Sequence, residues 1–388
     1  MSSGAGRAIA ARSPRAGIRR GEVGSVPVMT TTSLDSLIAH DISDMLGAAA
    51  SLPAQFPDGL ERAERVRERL EAAWPQDRGA TPRTLVVCGM GGSGVGADLL
   101  PAAADVHAPV IAVKGYELPG WVTDEDRVVC VSYSGATSET LACFAQAIDR
   151  SVVAAVITTG GELAERARAE DIPVVELPAG MQPRAAVGVI FAALAGVADC
   201  LGVIDDAAAV VAEAVAGASI VVDQHTGSGP EHGADAPPAL ELARQLYDHV
   251  VVISGAEHTA AVAHRWKAQI NENGKVPCFA NAYPELCHNE LVGWEYARAT
   301  GARWALVELL PFAASDAIRA RFDITRRIIS ESLDVDLRFE PSASTKAGAT
   351  FEQLAWGDYV SIYLALLRGI DPTPVDRIHE LKGELAGR

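Results

Sequence analysis

The sequence predicts an α/β protein made of two tandem units, each a parallel sheet flanked by helices in three layers. Three observations carry that prediction. Short runs rich in valine and isoleucine alternate with helix-like segments, the pattern of a parallel sheet covered on both faces. The alternation is interrupted between Ser219 and Pro238 by a stretch of Gly, Pro, Ser and His. With 388 residues, the chain has room for two domains of about 150 residues each.

In order along the chain, Leu34, Leu37, Ile38, Ile42 and Leu46 recur at helical spacing, with Ser33 as a candidate N-cap. A charged helical stretch follows over 59–73. Strands are then expected at 84–88, 109–113, 127–131, 152–157 and 173–177. Residues 219–238 read as an exposed loop between domains. Beyond it come strands at 249–254, 276–280, 304–309 and 335–339, and helices at 257–271, 315–332 and 350–367. Asp371-Pro-Thr-Pro374 is expected to start a last helix, because proline is tolerated in a first turn. The expected units are a tail or misassigned start at 1–28, N-terminal helices with the first sheet at 29–218, the linker at 219–238 and the second sheet unit at 239–388.

Composition narrows the function. Hydrophobic residues are 49% and charged residues 21%, which fits a packed globular protein. A net charge of −17 repels phosphate backbones and argues against nucleic acid as a partner. The near-apolar run 185–198 has too few residues for the about 20 that cross a bilayer, so no membrane span is expected. The first 28 residues carry five arginines and no apolar core, unlike a secretory signal. Six cysteines without a C-x-x-C pair read as buried thiols of a reducing compartment, and a cytoplasmic location is expected. The nine histidines include no i, i+4 pair, and neither metal nor cofactor is expected.

Three constellations carry chemistry. Gly89-Met-Gly-Gly-Ser-Gly-Val-Gly96, with Gly91, Gly92 and Ser93 at its centre, follows a strand and opens a helix. Such a loop presents backbone N–H groups to an anion. A dinucleotide site there would need an acidic residue about 20 positions on; the next strand instead ends Val113-Lys-Gly-Tyr116. Ser132-Tyr-Ser-Gly-Ala-Thr-Ser-Glu-Thr140 also links strand to helix, and Ser132, Ser134 and Thr137 can converge on one anion. One such loop is ordinarily a capping segment. Two of them at the carboxyl ends of strands in one sheet form a candidate ligand crevice. The third constellation is Gln269-Ile-Asn-Glu-Asn-Gly-Lys-Val-Pro277, followed by Asn281-Ala-Tyr-Pro-Glu-Leu-Cys-His-Asn-Glu290, with Glu272 at a helix end between two asparagines and His288 in a polar loop. A carboxylate and an imidazole suit acid–base work, although each is open to a structural role. Arg184, in Gln182-Pro-Arg184, could equally be a helix-start arginine paired with a surface carboxylate.

The ordered set of these motifs, ending in Asp371-Pro-Thr-Pro374, resembles the bifunctional phosphoglucose/phosphomannose isomerase family of double sugar-isomerase (SIS) proteins from about residue 35 onward. The resemblance implies two tandem SIS domains of flavodoxin-like, three-layer form with helical terminal segments. It also implies a metal-independent aldose–ketose isomerase interconverting glucose 6-phosphate or mannose 6-phosphate with fructose 6-phosphate through a cis-enediol. Gly91, Gly92, Ser93, Ser132, Ser134 and Thr137 would hold the phosphate. Glu272 would be the base, Arg184 would stabilise the enediolate, and Lys382 would lie near the ring oxygen. His288 would open the ring from the partner subunit of a homodimer with shared active sites. A non-catalytic SIS regulator that binds sugar phosphates is the alternative.

Overall fold

The computed structural model describes residues 33–73, 81–226 and 236–386. The expectation for residues 1–28 lies outside them. The chain opens on helices α1 (Leu34–Ile38), α2 (Met45–Ala50), α3 (Leu52–Glu64) and α4 (Arg67–Ala73). Ser33 caps α1 by accepting from the Ser36 N–H. The single helix expected from Leu34 to Leu46 is broken: Asp44 turns left-handed (φ 56°), and its carboxylate caps α2. A capping carboxylate is a strong local competitor to helix continuation.

The first sheet unit runs β1 (Leu85–Cys88), α5 (Gly91–Ala103), β2 (Val110–Val113), β3 (Arg127–Ser132), α6 (Ser138–Asp149), β4 (Val153–Thr158), α7 (Gly161–Ala169) and β5 (Val174–Glu176). The strands are parallel in the order β2-β1-β3-β4-β5. Every residue of β1 and β3 is buried, which is why they read as unbroken apolar runs. The strand order reverses between β1 and β3, so the loops after these two strands flank the switch-point crevice. Those are the glycine loop and the hydroxyl loop.

Helices α8 (Val187–Cys200), α9 (Ala207–Thr226) and α10 (Pro238–Leu246) lead into the second unit. It contains β6 (Val250–Ala256), α11 (Thr259–Glu272), β7 (Cys278–Tyr283), α12 (Glu290–Gly293), β8 (Trp304–Leu309), α13 (Asp316–Ile329), β9 (Val335–Phe339), α14 (Lys346–Leu366) and α15 (Asp376–Ala386). Its parallel order is β7-β6-β8-β9. Two sequence expectations are corrected here. Residues 219–226 are not loop: Val211, Ala214, Ala218, Val221 and Val222 are buried at helical spacing and carry α9 through Thr226. Residues 227–235 of the expected linker lie outside the described residues, and Pro238 already begins α10. The last helix starts at Asp376, not at Asp371, and Asp371–Pro374 is an irregular strap before it.

The core joins the two units. α8 is buried on nearly all sides, which explains the run 185–198. The one described helix with the length and hydropathy to cross a membrane is α9. It packs against α3 and α14. α14 is itself almost wholly buried and also touches α5, α10 and α11, so it serves both sheets. Phe56, Phe191 and Phe351 interlock edge-to-face at 4.6–6.2 Å between ring centres, tying α3, α8 and α14 together.

α9 and α14 cross so closely that a Cβ on Gly217 would lie 1.9 Å from the Gly348 carbonyl oxygen. Gly217→Val should therefore overpack this crossing and cost at least about 1–3 kcal/mol, read as a lowered denaturation midpoint. An unchanged midpoint would show that the helices separate without penalty.

Candidate functional site

The glycine loop turns at Gly91, whose φ of +50° suits glycine, and a Cβ there would point into open space. Gly92 is tight instead: a Cβ would come within 2.6 Å of the Pro183 carbonyl oxygen. The loop thus lies directly against the Gln182-Pro-Arg184 segment. Ser93 is buried, and its hydroxyl accepts from the Tyr133 N–H at 3.0 Å, linking the two crevice loops. Ser132 is buried and its hydroxyl is 2.9 Å from that of Thr137, which precedes α6. Ser134 is exposed, and its hydroxyl accepts from the Ala136 N–H at 3.3 Å. The Tyr133 phenol donates to the Pro178 carbonyl and accepts from the Met181 N–H, which anchors the approach to Arg184.

Arg184 is not a surface residue. It is 3% exposed and sits between the two units. Its Nε donates to Asn273 Oδ1 at 2.7 Å, and one terminal nitrogen donates to the Pro372 and Thr373 carbonyls at 3.0 and 2.7 Å. The other terminal nitrogen lies 3.9 Å from a Glu272 carboxylate oxygen. Burial pushes the guanidinium below its ordinary pKa, and the Glu272 carboxylate opposes that shift. Glu272 is the last residue of α11, and its side chain is 30% exposed, enough to meet a ligand.

A closed circuit of hydrogen bonds holds this corner. Asn273 Nδ2 donates to the Ser361 hydroxyl at 2.9 Å, and Ser361 donates to the Asp358 carbonyl at 2.7 Å. The Asp358 carboxylate pairs with Arg265 at 3.1 Å, and Arg265 donates to the Arg184 carbonyl at 2.6 Å. Burial pushes the Asp358 carboxyl upward, and Arg265 counters it. Beside the circuit, Lys275 donates to the carbonyls of Glu272, Pro372 and Pro374. Asn273 and Lys275 stand in the stretch Gln269–Pro277 singled out from the sequence, but neither had a role there. Nothing in the sequence pointed to Arg265, Asp358 or Ser361.

A cleft of about 1070 Å³ opens beside Glu272, walled by Lys275, Phe279, Asp371, Val375 and Arg377. The hydroxyl loops are not part of its lining. His288 ends a short 3-10 turn, is exposed, and makes no hydrogen bond or ion pair with Glu272 or Arg184 in the same chain. Its loop is fixed from below. Tyr283 is stacked on Phe322 and donates to buried Glu308 at 2.9 Å, and Glu308 in turn pairs with Arg338. Lys382 is exposed on α15, away from the cleft lining. One chain therefore brings together the glycine loop, the hydroxyl loop, Arg184 and Glu272. His288 and Lys382 make no hydrogen bond or ion pair with Arg184 or Glu272 among the described residues.

Two parallel sheets flanked by helices, with an arginine–carboxylate pair between them, give the architecture of a double-SIS protein. Residues 235–385 match the bacterial phospho-glucose isomerase C-terminal SIS domain. Solved structures share the fold. A hypothetical protein of Thermus thermophilus superposes with a TM-score of 0.66 at 18% identity, covering 91% of this chain and 93% of its own. A glucose-6-phosphate isomerase from Chlamydia trachomatis does so with a TM-score of 0.64 at 15% identity, covering 88% and 78%. The bifunctional phosphoglucose/phosphomannose isomerase of Aquifex aeolicus is 34% identical over 306 residues, 78% of this chain and 90% of the relative. The chain belongs to the bifunctional phosphoglucose/phosphomannose isomerase family and is an isomerase. The alternative of a non-catalytic regulator finds no support among these relatives.

Removing one partner of a buried ion pair strands the other. Arg265→Met should leave Asp358 unpaired and cost about 3–5 kcal/mol, measured by urea denaturation. A loss within error would mean that Asp358 is neutralised or solvated in some other way.

Proposed function

We propose that the protein interconverts glucose 6-phosphate and mannose 6-phosphate with fructose 6-phosphate, as a metabolic enzyme of the cytoplasm. The observation that carries the reading is the placement of Glu272 3.9 Å from Arg184, whose neighbour Pro183 abuts the glycine loop. A carboxylate and a cation lie next to an anion-binding turn at the switch point of a parallel sheet. The names of the relatives add the substrate class.

In this reading the substrate phosphate lies across the two crevice loops. Gly91 and Gly92 offer backbone N–H groups, and Ser93, Ser132, Ser134 and Thr137 offer hydroxyls, at the start of α5 and α6. The open-chain aldose then presents its C2 proton to Glu272. The carboxylate takes that proton, the C1–C2 enediol forms, and the proton is returned to C1 as a hydroxyl proton passes from O2 to O1. Glucose and mannose 6-phosphate differ only at C2, so both pass through one enediol. Arg184 offsets the charge that develops on the enediol oxygens. No step needs a metal or a cofactor. His288 is exposed in its own chain, which suits delivery to the site of a second copy in a homodimer. Ring opening by that histidine, and a place for Lys382 near the ring oxygen, belong to this reading.

Glu272→Gln keeps the shape of the side chain and removes the base. It should abolish isomerisation in a coupled assay for fructose 6-phosphate while leaving the thermal midpoint nearly unchanged. Turnover near that of the unaltered protein would exclude Glu272 as the base. Replacing Ser134 and Thr137 together by alanine removes two donors to a dianion, each worth about 1.5–3 kcal/mol. Affinity for fructose 6-phosphate should fall at least about tenfold, and competition by inorganic phosphate should weaken. Unchanged affinity would place the phosphate elsewhere.

A further inference from the structure

Lys275 has no part in the reading above, yet its ammonium sits where three segments meet. The residue stands three positions past Glu272 in a left-handed conformation (φ 57°), uncommon for a non-glycine residue. That turn lets the side chain reach back over the end of α11. Its Nζ donates to the Glu272 carbonyl, to the Pro372 carbonyl at 2.8 Å and to the Pro374 carbonyl. An ammonium has three N–H donors, and three carbonyls take them. The Pro372 carbonyl also accepts from Arg184 at 3.0 Å, so one oxygen joins both cations.

Lys275 is exposed as a residue, but its ammonium is engaged by three backbone carbonyls. Partial burial, then the neighbouring Arg184 guanidinium, push the ammonium below its ordinary pKa, while Glu272, Asp371 and Asp376 pull the other way. A cation at the last turn of a helix also meets the negative end of the helix dipole. A lysine serving only solubility would keep its ammonium in water.

We propose that Lys275 is a positioning residue for the isomerisation, tying the helix end that carries Glu272 to the Asp371–Pro374 strap and so holding the base beside Arg184. This rests on Glu272 being the base. The cleft beside Glu272 is bounded by α11 and β7 on one side and by the strap and α15 on the other, and Lys275 links the two walls. The glycine and hydroxyl loops lie on the first sheet, and the Lys275 ammonium bonds to none of them. Loss of the clamp therefore disturbs the orientation of the base and spares the grip on the phosphate. A misplacement of about 1 Å at a reacting group costs on the order of 100-fold in rate.

The test uses the full chain with Lys275→Met, which keeps length without donors, and Lys275→Gln, which keeps a polar end but cannot serve three carbonyls. Steady-state kinetics with fructose 6-phosphate are measured beside Glu272→Gln and thermal melts. Both lysine variants should lose about 10- to 100-fold in kcat with KM within about twofold. If one variant fails to fold, the other gives the same reading. Full kcat in either folded variant, or a raised KM with kcat unchanged, overturns the proposal. An inactive Glu272→Gln beside an unimpaired Lys275→Met removes only the role of Lys275. An active Glu272→Gln removes the base assignment itself, and the clamp loses its purpose with it.

Discussion

Arg184 is a full positive charge taken almost completely out of water, and the surroundings are built to hold it. A buried charge without partners costs several kcal/mol, so its donors must find acceptors within the fold. They find Asn273 from the end of α11, two carbonyls from the strap before α15, and the Glu272 carboxylate nearby. The carbonyl of Arg184 is itself an acceptor for Arg265, which is bound to Asp358 of α14. The segment after the first sheet, α11, the strap before α15 and, through Arg265, α14 are therefore tied together around Arg184. Shifting any of them leaves a buried polar group unpaired, and this holds the two units in register.

That register matters because the pieces of the site come from distant parts of the chain. The crevice loops belong to β1 and β3, the carboxylate ends a helix of the other unit, and the strap arrives after residue 370. α14 and the phenylalanine cluster of α3, α8 and α14 supply the apolar packing that keeps the units together. The polar circuit supplies direction, which apolar packing alone lacks. Gly92 completes the join, since a side chain there would meet the Pro183 carbonyl and push the glycine loop away from Arg184.

Local features of the site were legible in the sequence because they are written in neighbouring residues. Ser33 and Ser315 announce their helices, and each accepts from an N–H three residues on. The glycine and hydroxyl loops follow strands and open helices, as their residues implied. The misread places share a cause: a choice between two local options that distant contacts decide. Leu34 to Leu46 has helical spacing throughout, yet capping by Asp44 divides it. The polar end of α9 looked like a loop because its packing partner, α14, lies more than 100 residues away. Asp371-Pro-Thr-Pro374 can begin a helix, but its carbonyls are used by Arg184 and Lys275, and the helix starts later.

By itself, the sequence determined the strands, most of the helices, and the glycine and hydroxyl loops that link strand to helix. All of these depend on spacing within a few residues. Tertiary structure decided that Arg184 is buried and that Glu272 stands beside it. It also decided the use of Lys275, since its partners are backbone carbonyls. Every residue carries a carbonyl, so no residue type marks which ones will accept, and only the folded chain selects them.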